Sequence, residues 1–229
     1  MAFAHNPKIT TDGLVFFVDA ANPKSYPGTG TTWFDLTKNN YNATLTNSPS
    51  FSNNTIVFDG VDDYATTTFD EGVLQQTNEL GEWSIEVLFK QIGQSNNNEA
   101  IVAGRSGCHG GIYIYQDNTL RHAIKTTEAS CWTGAINTST VTMTNGQWYH
   151  SVMSYENGFI KHYVNGLLVG TSTFDRNTYN MTAYSDTFYI GGITGRNPNV
   201  GISYVRCYNR ALNDAEVLKN YSATKGRTR

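Results

Sequence analysis

Two Asn-Gly pairs, Asn157-Gly158 and Asn165-Gly166, constrain this chain most, because they separate three runs rich in β-branched and aromatic residues, QWYHSVMSY, FIKHYV and LLVGTSTF. Asn-Gly supplies the positive φ angles that a two-residue type I′ hairpin needs at both central positions. Two successive antiparallel hairpins are therefore expected from Trp148 onward. A third turn pair, Asp117-Asn118, links GIYIYQ to TLRHAIKT in the same manner.

The rest of the chain repeats the pattern. In EWSIEVLFK, Trp83, Ile85, Val87 and Phe89 alternate with Ser84, Glu86, Leu88 and Lys90, which predicts a core strand with one wetter face. LVFFVDA, with Leu14, Phe16 and Val18 on one face, NATLTN, TIVFDG, DDYATT, EAIVAG, TFYIGGI and GISYVRCYN read as further strands bounded by Asn, Asp, Gly or Pro. NDAEVLKNYSATKG then changes to a helical period. Asn213 and Glu216 form a capping-box pattern, Gly226 is the expected stop, and Val217, Leu218 and Tyr221 form the expected docking face.

These readings describe an all-β fold, a two-sheet antiparallel jelly-roll sandwich with a short C-terminal helix. The 14 Tyr, 11 Phe and 4 Trp can fill such a core, and a chain of 229 residues without a linker is expected to form one domain. Residues 1–12 are its N-terminal arm and residues 213–229 its C-terminal helix and basic tail. A net charge of -3 with no basic stripe predicts no nucleic-acid partner. No apolar run is long enough to span a membrane, and MAFAHNPKITTDG lacks the apolar core of a secretory signal, so synthesis in a cytoplasm without membrane insertion is expected.

Four stretches give the chain a family likeness: GLVFFVDAANPKSYPGTGTTWFDLT, FDGVDDYA, GQWYHSVMSYENGFIKHYVNGLLVG and SYVRCYNRALNDAEVLKNYSATKGR. In this order they resemble the concanavalin A-like lectin/glucanase superfamily, and in particular the laminin G-like domain proteins of tailed bacteriophages, including marine ones. The resemblance implies a non-enzymatic virion structural protein, a capsid decoration or accessory subunit that binds other virion proteins and is oligomeric in the particle. The alternative it leaves open is a carbohydrate-recognition module of a tail fibre or appendage, directed at host cell-surface glycans.

Catalysis is not expected. The Glu-x-Asp-x-x-Glu pattern that the superfamily's glucanases carry is missing. Glu82 and Glu86 lie four residues apart on one strand, roughly 13 Å at ~3.3 Å per residue, beyond the ~5 to 9.5 Å over which paired glycosidase carboxyls work. Calcium at a loop rim is known from related domains, and Asp59, Asp62 and Asp63 are the densest acids, but turn capping explains them equally well and no cofactor is assigned.

For ligand binding, the region from Gly107 to Trp132 offers aromatic faces at His109, Tyr113, Tyr115 and Trp132, which either contact glycan or pack between the sheets. The basic tail, with Lys225, Arg227 and Arg229, is expected to reach a virion partner, and its removal is expected to leave stability unchanged. Cys207 falls at a buried strand position. Whether Cys108 and Cys131 pair stays open.

Overall fold

The computed structural model describes residues 8–70, 82–93, 98–104, 110–124, 141–156, 158–173, 187–193 and 195–228. Its strands are β1 (Leu14–Asp19), β2 (Thr32–Trp33), β3 (Ala43–Thr46), β4 (Ser50–Ser52), β5 (Thr55–Asp59), β6 (Tyr64–Asp70), β7 (Trp83–Gln91) and β8 (Glu99–Gly104). They continue with β9 (Gly110–Ile114), β10 (Thr119–Ile124), β11 (Val141–Thr142), β12 (Trp148–Glu156), β13 (Phe159–Val164), β14 (Leu167–Thr173), β15 (Thr187–Ile190) and β16 (Asn199–Tyr208). A helix, α1 (Asp214–Thr224), follows and runs into a 3-10 turn at Lys225–Thr228.

The strands form two antiparallel sheets. Sheet I has the order β14-β13-β12-β7-β16-β5-β4, with β1 also on β16, and sheet II has the order β11-β10-β9-β8-β15-β6-β3-β2. This is the expected sandwich. The inward residues of both sheets, among them Phe16, Phe58, Phe69, Trp83, Phe89, Ile112, Phe188 and Val205, form one large core cluster. Its aromatic centre is Phe16 on Phe69 with ring centroids 5.3 Å apart, and Phe188 edge-on to both.

The expected double hairpin is present. β12 pairs with β13 and β13 with β14, and Asn165 and Gly166 take φ 52 and φ 81 at the second turn. Gly166 is also the close-approach point for the helix, because a Cβ there would meet the Tyr221 ring at 2.8 Å.

Four expectations change. Leu14 does not share a face with Phe16 and Val18: the register shifts between Leu14 and Phe16, and this irregularity turns Leu14 toward the other side of sheet I. The non-core face of β7 is not wet, since α1 covers it and Ser84, Glu86 and Leu88 are buried. On α1 the buried positions are Val217, Asn220 and Thr224, whereas Leu218 is 49% exposed. Helical spacing explains this, because positions three and seven beyond Val217 point the same way and Leu218 is turned about 100° from it. Gly226 does not end the helix; Lys225 is its C-cap. The short strands β2, β4 and β11 have too few residues to show alternation.

The capping box forms as expected. Asn213 Oδ1 accepts from Glu216 N at 3.0 Å, and Asn213 N donates to Glu216 Oε2 at 3.1 Å. Among the described residues no helix is long and apolar enough to cross a membrane.

Candidate functional site

The two sheets present different outer faces. On sheet I, the register sets Arg206 of β16 opposite Glu86 of β7, and both point away from the core. Glu86 Oε1 accepts from Arg206 Nη1 at 2.7 Å, His150 Nε2 at 3.0 Å and the Tyr204 hydroxyl at 3.0 Å. Its Oε2 accepts from Asn220 Nδ2 at 2.7 Å and the Tyr208 hydroxyl at 3.3 Å. Every one of these side chains is buried.

Burial alone would raise the Glu86 pKa. The Arg206 charge and the hydrogen bonds from His150 and Asn220 outweigh it and hold the carboxyl at about 2. Burial and the Glu86 charge push the Tyr204 and Tyr208 hydroxyls well up. Arg206 is held between rings, 3.9 Å from the Tyr204 centroid and 4.6 Å from that of Phe17. A Glu-Arg-Tyr cluster of this composition has chemical capacity, but α1 seals it and Asn220 is part of its wall. Asn220 also lies in an Asn-x-Ser triplet, and its burial removes it as a glycosylation acceptor.

Sequence reasoning missed this cluster. The available signal was a pair of charges, Glu86 and Arg206, at alternating positions of two strong strands, together with a helix whose inner spacing reads Val217, Asn220, Thr224.

Sheet II is not covered by α1. Its inward residues include Ala65 and Ile190, so Tyr64 and Tyr189 beside them point outward. Both are half-buried, their ring centroids lie 6.1 Å apart, and the rings tilt at 47°. Thr44 and Thr66 lie alongside on the same face, paired across β3 and β6. Tyr113 and Tyr115 also belong to the outer side, in a small cluster with Ala100, Ala103, Ala123 and Ile193, against which Tyr189 packs.

Tyr113 and Tyr115 thus lie neither between the sheets nor open to solvent. Tyr113 is 1% exposed and Tyr115 8%. The Arg121 guanidinium stacks 4.0 Å over the Tyr115 ring and pairs with Asp117. Arg196 is half-buried beside them; burial lowers its pKa, and the phenols of Tyr113 and Tyr115 offset part of that effect. His109 and Trp132, the other two residues of the expected aromatic cluster, lie outside the described residues, as do Cys108 and Cys131. The half-exposed pair Tyr64 and Tyr189 was not singled out in sequence, because the two are 125 positions apart and each resembles an ordinary strand aromatic.

Asp59, Asp62 and Asp63 do converge, with oxygens within 4.8 Å of one another, an arrangement that can hold a hard cation. Two of the three also cap their own loop. Asp63 Oδ2 accepts from Asp59 N at 3.2 Å and Asp59 Oδ1 from Val61 N at 2.8 Å. Burial, against the backbone bond, raises the Asp63 pKa, and the charges of Asp59 and Asp62 add to that.

In the basic tail, Arg227 Nη1 reaches both carboxylate oxygens of buried Asp19, at 2.8 and 2.7 Å. That guanidinium is tied to its own fold, and the 3-10 turn carries it there. Lys225 caps α1 through its backbone N–H, and Arg229 lies outside the described residues. Cys207 is buried in the core as expected.

A laminin G-type family model, described as the concanavalin A-like lectin/glucanases superfamily, matches residues 58–218. The chain belongs to this superfamily. Solved structures agree with the superfamily's fold: Trypanosoma rangeli sialidase in complex with sialic acid has a TM-score of 0.68 at 19% identity, covering 96% of this chain and 34% of that one. A botulinum neurotoxin serotype D binding domain has a TM-score of 0.69 at 11% identity, covering 92% and 51%. The superfamily member described here therefore spans about a third of the first and about half of the second. No curated relative matches it in sequence.

Proposed function

We propose that this chain is a non-catalytic carbohydrate-binding module whose sugar-contacting surface is the outer face of sheet II. The observation that carries the reading is the half-exposed Tyr64–Tyr189 pair on a threonine-flanked sheet face that α1 leaves uncovered. Tilted tyrosine rings offer apolar faces to the C–H side of a pyranose, and the neighbouring Thr44 and Thr66 hydroxyls offer hydrogen bonds to its polar edge. Tyr113 and Tyr115 act as the support beneath this surface. Membership of a lectin/glucanase superfamily supports the reading. The sealed setting of Glu86 supports the absence of hydrolysis.

A glycan array followed by calorimetric titration of the best ligand tests it. Tyr64→Ala and Tyr189→Ala should each weaken binding by about tenfold or more, the loss of roughly 1.4 kcal/mol of stacking, with the fold intact. Absence of binding to any glycan, or binding indifferent to both substitutions, would refute it. Incubation with β-glucans should release no reducing ends.

The four stretches that resemble phage laminin G-like proteins support display of this module on a virion, as a capsid decoration or a tail appendage. Mass spectrometry of purified particles tests that placement. Hundreds of copies would indicate decoration, a few copies an appendage, and none would end the virion reading.

A further inference from the structure

A single register row crosses one half of sheet II. Thr32 pairs with Thr44, Thr44 with Thr66 and Thr66 with Tyr189, so the neighbouring strands β2, β3, β6 and β15 set these four side chains in line on the outer face. Burial follows the pleat: Trp33, Ala43, Ala65 and Ile190 belong to the core, whereas Thr44 is exposed and Thr32, Thr66 and Tyr189 are half-buried. At about 4.8 Å between strands, the line from Tyr189 to Thr32 is about 14 Å long. On the other side of Tyr189 the row continues through Ala103, Gly111 and Ala123, and both alanines are buried. The hydroxyls therefore occupy one side of Tyr189 only.

Two features give this line a definite chemistry. Among the described residues, the hydroxyls of Thr32, Thr44 and Thr66 meet no protein partner, whereas Thr67, on the core side of β6, is buried and donates to Phe69 O at 2.9 Å. The strip is also uncharged along its length. Asp70, the last residue of β6, is the only charged residue in the four strands. The loop that leads into Tyr64 carries Asp59, Asp62 and Asp63. An anionic ligand would find no cation in these strands and an acidic loop beside them, which disfavours carboxylated and sulfated sugars.

We propose, on the basis of the sugar-binding reading of this face, that its ligand is an extended, neutral, β-linked polysaccharide lying across the strands. One sugar ring stacks on the Tyr64–Tyr189 pair, and the following rings lie over Thr66, Thr44 and Thr32 in turn. The strand spacing of about 4.8 Å is close to the advance of one sugar along such a chain, so each threonine meets a successive ring with a hydroxyl that can donate and accept. A compact or strongly helical glycan cannot keep step with a straight row. β2 is the last strand of sheet II, so the chain leaves the face across the sheet edge.

NMR-monitored titration of the full chain with cello- and manno-oligosaccharides of one to six residues tests this. Affinity for one of the two series should rise by about tenfold or more from the disaccharide to the tetrasaccharide, the effect of two added hydrogen bonds, and level off beyond it. Thr66→Val, beside Tyr189, should weaken disaccharide and tetrasaccharide alike by about threefold to tenfold. Thr32→Val, at the far end, should weaken the tetrasaccharide and leave the disaccharide unchanged. Valine keeps the shape and strand preference of threonine, so circular dichroism should not change. Affinity independent of chain length, a preference for sialylated, uronate or sulfated glycans, or a Thr32→Val variant that treats all lengths alike would each overturn the proposal. Tyr189-dependent binding of an acidic or single terminal sugar would leave the sugar-binding reading standing while this inference falls, and absence of binding to any glycan would end both.

Discussion

Replacing Glu86 by glutamine keeps the shape of the side chain and removes its charge, which leaves the buried Arg206 without its ion-pair partner. Breaking a buried pair in this way costs about 3 to 5 kcal/mol. The glutamine also turns an NH₂ group toward donors that had faced a carboxylate oxygen. A second route reaches the same size: holding the Glu86 pKa at about 2 instead of the ordinary 4.5 is worth about 3 kcal/mol at ~1.36 kcal/mol per pH unit. Because the folded pKa is the lower one, this stability is fully present above pH 4.5 and is lost as pH falls toward 2. Urea denaturation followed by tryptophan fluorescence, at pH 7 and in steps down to pH 2.5, reads both quantities. Glu86→Gln should be about 3 kcal/mol less stable at pH 7 and should lack the Glu86 part of the acid-dependent loss. Glu86→Leu combined with Arg206→Met should recover most of the deficit. A Glu86→Gln variant within about 0.5 kcal/mol of the parent, or one whose acid profile below pH 4.5 is unchanged, would refute the assignment of a buried stabilising ion pair.

Four further outcomes are expected. His122 of β10 and His162 of β13 stack between the sheets with centroids 4.5 Å apart, and His122 Nε2 lies 2.6 Å from Ser151 Oγ. Burial lowers both pKa values, His162 to about 3, with repulsion by His162 adding to the effect on His122. The unfolded chain therefore binds protons that the fold excludes, so stability should fall as pH drops below 6.5, by up to about 2.7 kcal/mol per pH unit for two sites. His122→Phe/His162→Phe should flatten the profile between pH 6.5 and 4.5, and an unaltered slope would contradict this. Trp83→Ala, in the core against Tyr155 with centroids 6.0 Å apart, should cost about 3 to 5 kcal/mol in the same urea assay. Arg227→Ala removes the guanidinium from both oxygens of the buried Asp19 carboxylate, leaving it the bond from Ala21 N, and should cost about 1 to 3 kcal/mol, so deleting residues 225–229 should lower the melting temperature rather than spare it. Asn213→Ala should remove the helix cap at a cost of about 1 kcal/mol, read as a small fall in the urea midpoint.

Local chemistry fixed what sequence could reveal. Asn165-Gly166 determines a type I′ turn because positive φ is cheap there, the alternation in Trp83–Phe89 determines which side of β7 meets the core, and Asn213 with Glu216 determines where α1 begins. Each depends on residues a few positions apart. The tertiary structure decided the remainder, because it depends on residues far apart in sequence that share a face. Glu86 reads as the polar side of a strand until β16 brings Arg206 beside it and α1 lays Asn220 over it. Tyr64 and Tyr189 become neighbours only when β6 pairs with β15. Arg227 looks like a solvated tail charge until the turn after α1 delivers it to Asp19. Burial and charge pairing are set by surfaces that the chain creates only on folding, so alternation shows which side of a strand a residue takes but not what will cover that side.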